Sequence, residues 1–405
     1  MTIRPPRAAA LAGVLAAWAL TVCLVLVSFT KDFIDLMVYR AGGHAWASGV
    51  PLYGAEFPAQ VGLRALPFTY PPVSAVLFAP LAAIPLPVAV VLHTVAGLTA
   101  LAVTAWLTAR RLEADQWRAA HLAMTVIVLA VLAEPVRQTL TFGQVNLVLM
   151  GLVAADCLVP RTPWPRGVLI GLAAAIKLTP AVFVLFFLAH RQWRPALAAG
   201  TAFLVATVAG FLAAPQASAT YWFSGVFTDP GRIGTLDYRS NQSIAGLLHR
   251  FGLPAPWVTA VWLLAVSAAL AAGWMAVRRL RGTGHDVAAL LAVATTGLLA
   301  SPVSWSHHYV WVVPALVWLG YRALRSARQR LVLVLFAVVF AVGPHWLMGG
   351  EAGWGLGAQI VGNAYVWSAV LALFAAAFGP IGPVVVPDRS EHAALRNILN
   401  VPGAG

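Results

Sequence analysis

Apolar runs long enough to cross a bilayer alternate with short polar breaks along almost the whole chain. Runs such as Ala8–Val27, Val88–Leu107, Ala196–Ala213, Trp257–Val277 and Leu331–Val342 recur, and a hydrocarbon core about 30 Å thick takes about 20 helical residues to cross. The pattern predicts full spans at 8–30, 88–108, 119–133, 145–159, 195–213, 257–277, 286–300, 305–321, 331–347 and 364–386. Residues 73–84 are too few to cross, and Pro85 and Pro87 break the helix behind them. That stretch reads as re-entrant. Residues 167–189 carry Lys177 and Pro180 in mid-run, so they read as two half-helices meeting at Lys177-Leu178-Thr179-Pro180. Broken helices at membrane depth occur where they line a cavity. The expected fold is an all-α polytopic membrane protein of about 10–12 transmembrane helices. It is read as one domain over 1–387, with external polar segments at 31–70 and 215–256 and a cytoplasmic tail at 388–405.

Composition agrees. Of 405 residues, 60% are hydrophobic and 10% charged, with a mean hydropathy of +0.82. A soluble domain carries far more charge. A β-barrel would show short alternating segments instead. The net charge of +13 raises nucleic acid as a partner, but the arginines form no stripe interleaved with aromatics. They fall in clusters between spans: Arg4/Arg7, Arg110/Arg111/Arg118, Arg161/Arg166, Arg191/Arg194, Arg278/Arg279/Arg281 and Arg322/Arg325/Arg328/Arg330. This is the positive-inside pattern of a multi-pass cell-membrane protein, with no nucleic-acid partner and membrane lipids as its surroundings. With those loops and both termini in the cytoplasm, Asp35, Glu56, Glu134, Asp229, Asp237, Asn241-Gln242 and the His307-His308 pair fall on the external side. A working face there, toward the periplasm or cell exterior, is expected. Cys23 and Cys157 lie in apolar runs with no Cys-x-x-Cys partner and read as buried thiols.

The densest polar chemistry between two apolar runs is Ser301-Pro302-Val303-Ser304-Trp305-Ser306-His307-His308-Tyr309. Groups this polar are costly at membrane depth unless they face protein or water. His307 and His308 could bind metal, shuttle a proton or hold a phosphate, but no ligand spacing accompanies them. Asp35 follows the first span. It is either a general base near the membrane surface or an ordinary solvated acid. Lys177, alone in an apolar window, is either a point-charge partner for a phosphate or one half of a structural pair with an acid such as Glu134. Gln144 and Asn146 open a span. Asn241 and Gln242 lie in the large loop with Arg232 and Arg239, a set suited to a hydroxyl-rich ligand or to helix capping.

Taken in order, Asp35-x-x-Val38-Tyr39, Phe68-Thr69-Tyr70-Pro71-Pro72, Gly143-Gln144-Val145-Asn146, Lys177-Leu178-Thr179-Pro180, Asn241-Gln242-Ser243 and Ser301-Pro302-x-Ser304-Trp305-x-His307-His308 resemble the actinobacterial polyprenol-phosphate-mannose-dependent mannosyltransferases of glycosyltransferase family 87. Within that family the resemblance is strongest to the α-1,2-mannosyltransferases of phosphatidylinositol mannoside synthesis. It runs from about residue 31 to 320. It implies a GT-C fold with an extracytoplasmic active site, polyprenyl phosphomannose as donor and a glycolipid acceptor such as a phosphatidylinositol mannoside or related lipoglycan. It also implies a catalytic base on the first external loop, here Asp35, and an inverting displacement. Lys177, His307, His308, Tyr70, Gln144, Asn146, Asn241, Gln242 and Arg239 are read with it as contacts to the donor phosphate or substrate. No Asp-x-Asp accompanies these residues, so neither a metal nor any other cofactor is expected.

Two other readings remain at this level. A lipid or small-molecule transporter could use the Lys177 break as a midplane site, although such proteins often show repeated halves and no internal repeat is visible here. The same fold could also carry another sugar, arabinofuranose or glucose.

Overall fold

The computed structural model describes residues 33–380, apart from 55–56, 58–59, 62–63 and 350–353. The expected span at 8–30, Cys23, Glu56 and the tail at 388–405 lie outside the described residues. The described part is helical throughout, save one two-residue hairpin. In chain order it runs α1 (Ile34–Ala47), β1 (Gln60–Val61), β2 (Arg64–Ala65), α2 (Pro72–Ala83), α3 (Leu86–Leu112), α4 (Gln116–Ala130), α5 (Glu134–Phe142) and α6 (Asn146–Leu158). There follow α7 (Val168–Ile176), a 3-10 turn over Thr179–Val184, α8 (Leu185–Leu188), α9 (Trp193–Ala213), α10 (Pro215–Phe223) and α11 (Ile244–Arg250). Last come α12 (Ala255–Gly282), α13 (Asp286–Ala300), a 3-10 turn over Ser306–Trp311, α14 (Val312–Ala323), α15 (Ala327–Val342), a 3-10 turn over Pro344–Leu347, α16 (Leu356–Gly362) and α17 (Ala364–Phe378).

Local chemistry sets these boundaries. Prolines stand in the first turns of α2, α3, α5 and α10, where a missing N–H costs nothing. The Asp115 carboxylate accepts from the Trp117 and Arg118 amides at 2.9 and 2.8 Å and caps α4. Ser243 caps α11 through Gly246 N–H at 3.0 Å. Gly143 ends α5 at φ 65. A Cβ there would lie 2.8 Å from Leu36 Cβ, so only glycine lets the chain turn this close to α1.

By length and hydropathy, three of the described helices can cross a membrane: α3, α9 and α12. They become five when the bent pairs α4–α5 (67°) and α16–α17 (66°) are each taken as one span. Leu212 is 82% exposed, Leu264 72% and Leu371 69%, an apolar surface that suits lipid rather than water. Two more of the expected spans, 145–159 and 286–300, are shorter apolar helices, α6 and α13, as is α2 in the stretch read as re-entrant. They are short for a physical reason. Each stops or starts at a polar turn facing protein: Pro71-Pro72, Gln144–Asn146, Lys177 and Ser301–His308. The break foreseen at Lys177 is present, since α7 ends at Ile176 and Lys177 itself is extended at φ −149, ψ 128. The two polar segments are not plain loops, however. The first folds into α1, and 215–256 holds α10, α11 and two short 3-10 turns.

The bundle has two chemically different ends. At one, Arg111 at the end of α3 donates to Leu158 O at the end of α6 (2.6 Å) and meets Asp286 at the start of α13 (3.8 Å). Arg281 at the end of α12 pairs with the same aspartate at 3.3 Å and donates to Phe186 O of α8 at 2.6 Å. The other ends of α6 and α13, Asn146 and Ser301, carry the amide and histidine motifs. Thirteen residues of α6 separate the two ends by about 20 Å.

Candidate functional site

Four turns and one helix meet at the second end. The helix is α1, which places Asp35 and Tyr39 four residues apart on one face. Its first turn is entered through Phe33, held at φ 37, a left-handed conformation uncommon for a bulky residue. The Phe33 amide donates to Thr141 O of α5 at 2.9 Å. That bond ties α1 to the end of α5, just before Gln144.

Around Tyr39 the hydrogen bonds can be assigned donor by donor. Tyr39 O–H donates to Gln144 Oε1 at 2.9 Å. Its oxygen accepts the Val145 amide at 3.2 Å and lies 3.0 Å from Tyr70 Oη. Since the Tyr39 proton is spent on Gln144, Tyr70 donates in that contact. Tyr70 Oη in turn accepts Gln144 Nε2 at 3.2 Å, and its carbonyl is held by Tyr53 O–H at 2.7 Å. Tyr39, Tyr70 and Gln144 are all buried, and their polar atoms are partnered as buried groups require.

The second cluster centres on Lys177. Its ammonium donates to Asn146 Oδ1 at 3.0 Å and contacts His308 Nε2 at 3.2 Å. An ammonium has only protons to offer, so His308 is held as the neutral tautomer with its proton on Nδ1. Asn146 is fixed from its other end, where Nδ2 donates to His307 O at 3.1 Å. Lys177 Nζ also lies 5.7 Å from the Tyr70 ring centroid, joining the two clusters. Two of its three N–H bonds are accounted for, which leaves one for a ligand.

Asp35 stands between the clusters and is half-buried. Burial pushes its carboxyl above the usual carboxylate range, while the Lys177 charge and the Gln144 amide pull the other way. A carboxylate raised in this way beside a cation has the properties of a proton acceptor. A mostly apolar cleft between α6, the 179–184 turn and α13 opens beside Asn146 and His308. Leu149, Met150, Phe183, Leu298 and Trp311 line it.

Six residues singled out from the sequence therefore come together: Asp35, Tyr70, Gln144, Asn146, Lys177 and His308. The His307 ring makes no hydrogen bond to this set. It is buried against Phe142 and His308 at centroid distances of 5.5 and 4.8 Å, with neither nitrogen hydrogen-bonded. Asn241 spends its whole amide on backbone, and Gln242 its Nε2 alone, with Oε1 buried and without a hydrogen bond. Asn241 Nδ2 donates to Leu236 O (2.9 Å) and Pro302 O (3.1 Å) while its Oδ1 accepts Ser304 N–H (2.9 Å). Gln242 Nε2 donates to Arg239 O and Gly362 O, both at 2.9 Å. They pin the large loop to the 301–306 turn. Arg239 donates to Met348 O at 2.9 Å and lies 5.1 Å from the Trp346 ring. The structural pair considered for Lys177 is not formed, because Glu134 is occupied by Ser306, Trp346 and Tyr365. Tyr39, which the sequence offers only within the Asp35-x-x-Val38-Tyr39 motif, joins the site through its i+4 spacing from Asp35. Among the described residues no three His, Cys, Asp or Glu side chains gather as they would around a metal ion.

Comparison with known proteins gives the family. Residues 68–302 match the profile of glycosyltransferase family 87. The polyprenol-phosphate-mannose-dependent alpha-(1-2)-phosphatidylinositol mannoside mannosyltransferase of Mycolicibacterium smegmatis is 43% identical over 82% of this chain and 81% of its own length. Its namesake from Mycobacterium tuberculosis is 39% identical over 91% of this chain and 90% of its own. A polyprenol-phosphate-mannose-dependent alpha-(1-2)-phosphatidylinositol pentamannoside mannosyltransferase of M. smegmatis is 34% identical over 80% and 78%. No solved structure matches the chain.

Proposed function

The chain belongs to glycosyltransferase family 87 and is a multi-pass membrane glycosyltransferase with the GT-C fold of that family, and on this premise we propose that it moves mannose from polyprenyl phosphomannose to a phosphatidylinositol mannoside, with Asp35 as general base. The observation that carries the donor half is Lys177. Its ammonium is held by Asn146 and His308 with one N–H left over, placed to receive an anionic oxygen. The cleft lined by Leu149, Met150 and Phe183 leads away from that point and suits the isoprenoid chain next to the phosphate.

In the reaction, the acceptor hydroxyl oxygen attacks C1 of the β-linked mannosyl group in line with the bond to phosphate. The new C1–O bond forms as the old one breaks, and the bonding pair stays with polyprenyl phosphate. Asp35 takes the hydroxyl proton and later releases it to water. Attack from the face opposite the leaving group inverts C1, so the product is α-linked. Lys177 offsets the charge that builds on the departing phosphate, and no divalent cation is required for this role.

The site is proposed to face away from the cytoplasm. The basic cluster of Arg111 and Arg281 sits at the opposite end of α6 and α13, and basic loops stay in the cytoplasm. A transporter reading of the Lys177 break loses its ground, because the family consists of transferases. The test is transfer of labelled mannose from polyprenyl phosphomannose in membranes carrying wild type or Asp35→Asn. A labelled phosphatidylinositol mannoside from wild type alone supports the reading. Normal turnover by folded Asp35→Asn rules out this mechanism.

A further inference from the structure

One buried charge takes no part in the mechanism above. Glu134, the first residue of α5, is 1% exposed. Its Oε1 accepts Ser306 O–H and Trp346 Nε1–H, both at 2.7 Å, and its Oε2 accepts Tyr365 O–H at 2.9 Å. His345 Nε2 lies 3.6 Å from Oε1. Gly343 packs so closely over this carboxylate that a Cβ there would meet Glu134 Cγ at 2.9 Å. Four side chains from three separate elements thus converge on one carboxylate in the bundle interior.

Taking a carboxylate out of water is expensive, and apolar packing would hold helices together at least as well. What a fully partnered buried charge adds is a single permitted arrangement of its partners. The arrangement defined here is that of Ser306. This residue opens the 3-10 turn that carries His308 two positions later. The grip on the turn is doubled from the same helix, since Thr139 O–H of α5 donates to His307 O at 3.1 Å. Asn146 Nδ2 adds a second hold on that carbonyl, and so a third on the turn. Ser240 completes the setting, its Oγ accepting the Ser306 amide at 3.3 Å. From Glu134 a short path leads through Ser306 and one turn of backbone to His308 Nε2, and so to the Lys177 ammonium.

We propose that Glu134 is a positioning residue for the donor site, its carboxylate clamping Ser306 so that His308 and Lys177 are set for the donor phosphate. This rests on the donor reading given above. Glu134 touches no reacting atom. Its effect passes entirely through the 306–308 turn, and so falls on donor binding and not on the acceptor.

The experiment is steady-state mannose transfer by the full-length protein in membranes, varying donor and acceptor separately, for wild type, Ser306→Ala and Ser306→Thr. Ser306→Ala cuts the link while leaving Trp346 and Tyr365 on the carboxylate. Losing a hydrogen bond to a charged group is expected to raise the donor KM about tenfold, with the acceptor KM within about twofold and Ser306→Thr recovering most of the loss. If Ser306→Ala does not accumulate folded, Ser306→Cys keeps the volume with a weak donor and is read in the same way. Wild-type donor KM in the folded variant overturns the inference. So does an equal rise in both KM values, which is the signature of a merely loosened fold. If wild type itself transfers no mannose, the donor reading falls and the inference with it. That outcome is distinct from a working wild type with an indifferent Ser306→Ala.

Discussion

Lys177 Nζ and His308 Nε2 lie 3.2 Å apart, two ordinarily basic groups sharing one hydrogen bond, with Asn146 Oδ1 completing the set at 3.0 Å. The ammonium is thus aimed rather than free to swing. Aiming is what lets a single cation act on charge that develops only in the transition state. Lys177→Ala is expected to lower kcat by about 10²- to 10³-fold in labelled-mannose transfer. Lys177→Arg should recover little, because a planar guanidinium cannot take the place of a point charge between an amide and an imidazole. Activity of Lys177→Ala within a few-fold of wild type would remove the lysine from the mechanism.

Asp35 gives a prediction with a sign in both activity and stability. Burial, opposed by Lys177 and Gln144, pushes its carboxyl up to about 6. As general base it must be ionised, so kcat/KM should fall about tenfold per pH unit below that value. For stability, a folded-state value above the unfolded one of about 3.9 means that the protonated form favours folding. The contribution is complete below the unfolded value and is lost as pH rises through the folded one. At neutral pH the ionised carboxylate therefore costs about 1–3 kcal/mol. Asp35→Asn should accordingly be inactive yet melt at or above the wild-type temperature at pH 7.5, with the difference closing toward pH 4. An inactive variant that melts well below wild type would point to a structural role for the carboxylate.

Much of this site could be read from the chain, for identifiable reasons. A lysine and a proline three residues on, inside one apolar run, mark the break at 177–180 because both are costly in a continuous span. The Gln144/Asn146 and His307/His308 motifs stand out for the same reason. The Glu134 hub is different, since Ser306, Trp346 and Tyr365 lie 172, 212 and 231 positions away, and no periodicity links them. Helix α1 was hidden by its polarity. Residues 31–70 look like a loop until burial of Leu36, Val38, Tyr39 and Ala45 shows that one face is packed. The span count fell between the two. Hydropathy finds apolar stretches, but it cannot tell a full crossing from a short helix ending in a polar turn.

On the proposed mechanism the charge of the departing phosphate is offset by Lys177, so no divalent ion is needed for its departure. Transfer by washed membranes is expected to be unchanged in excess chelator. A loss reversed by Mg²⁺ or Mn²⁺ would mean that the leaving phosphate is neutralised by a bound ion instead.

Asn241 separates two explanations of one motif. Read from the sequence, the amide pair Asn241-Gln242 suits a sugar. In the fold, Asn241 is fully buried. Its amide nitrogen and oxygen are both taken by backbone, with Leu236 and Pro302 carbonyls at 2.9 and 3.1 Å and the Ser304 amide at 2.9 Å. Gln242 N–H donates to Ser304 O at 2.7 Å beside it, so the loop and the 301–306 turn are stitched together at this point. Asn241→Ala strips the partner from the buried Ser304 amide and from the half-buried Leu236 carbonyl, while Pro302 O keeps Ser243 Oγ at 3.0 Å, and should cost about 1–3 kcal/mol for a buried group left unsatisfied. The variant is therefore expected to melt several degrees lower and to accumulate poorly, while the protein that does fold keeps both substrate KM values near wild type. Melting curves and KM values from the same preparation decide the matter. A raised KM for either substrate at an unchanged melting temperature would mean that Asn241 leaves the backbone to touch the sugar; a lowered melting temperature with normal KM values assigns it to holding the turn on which His308 stands.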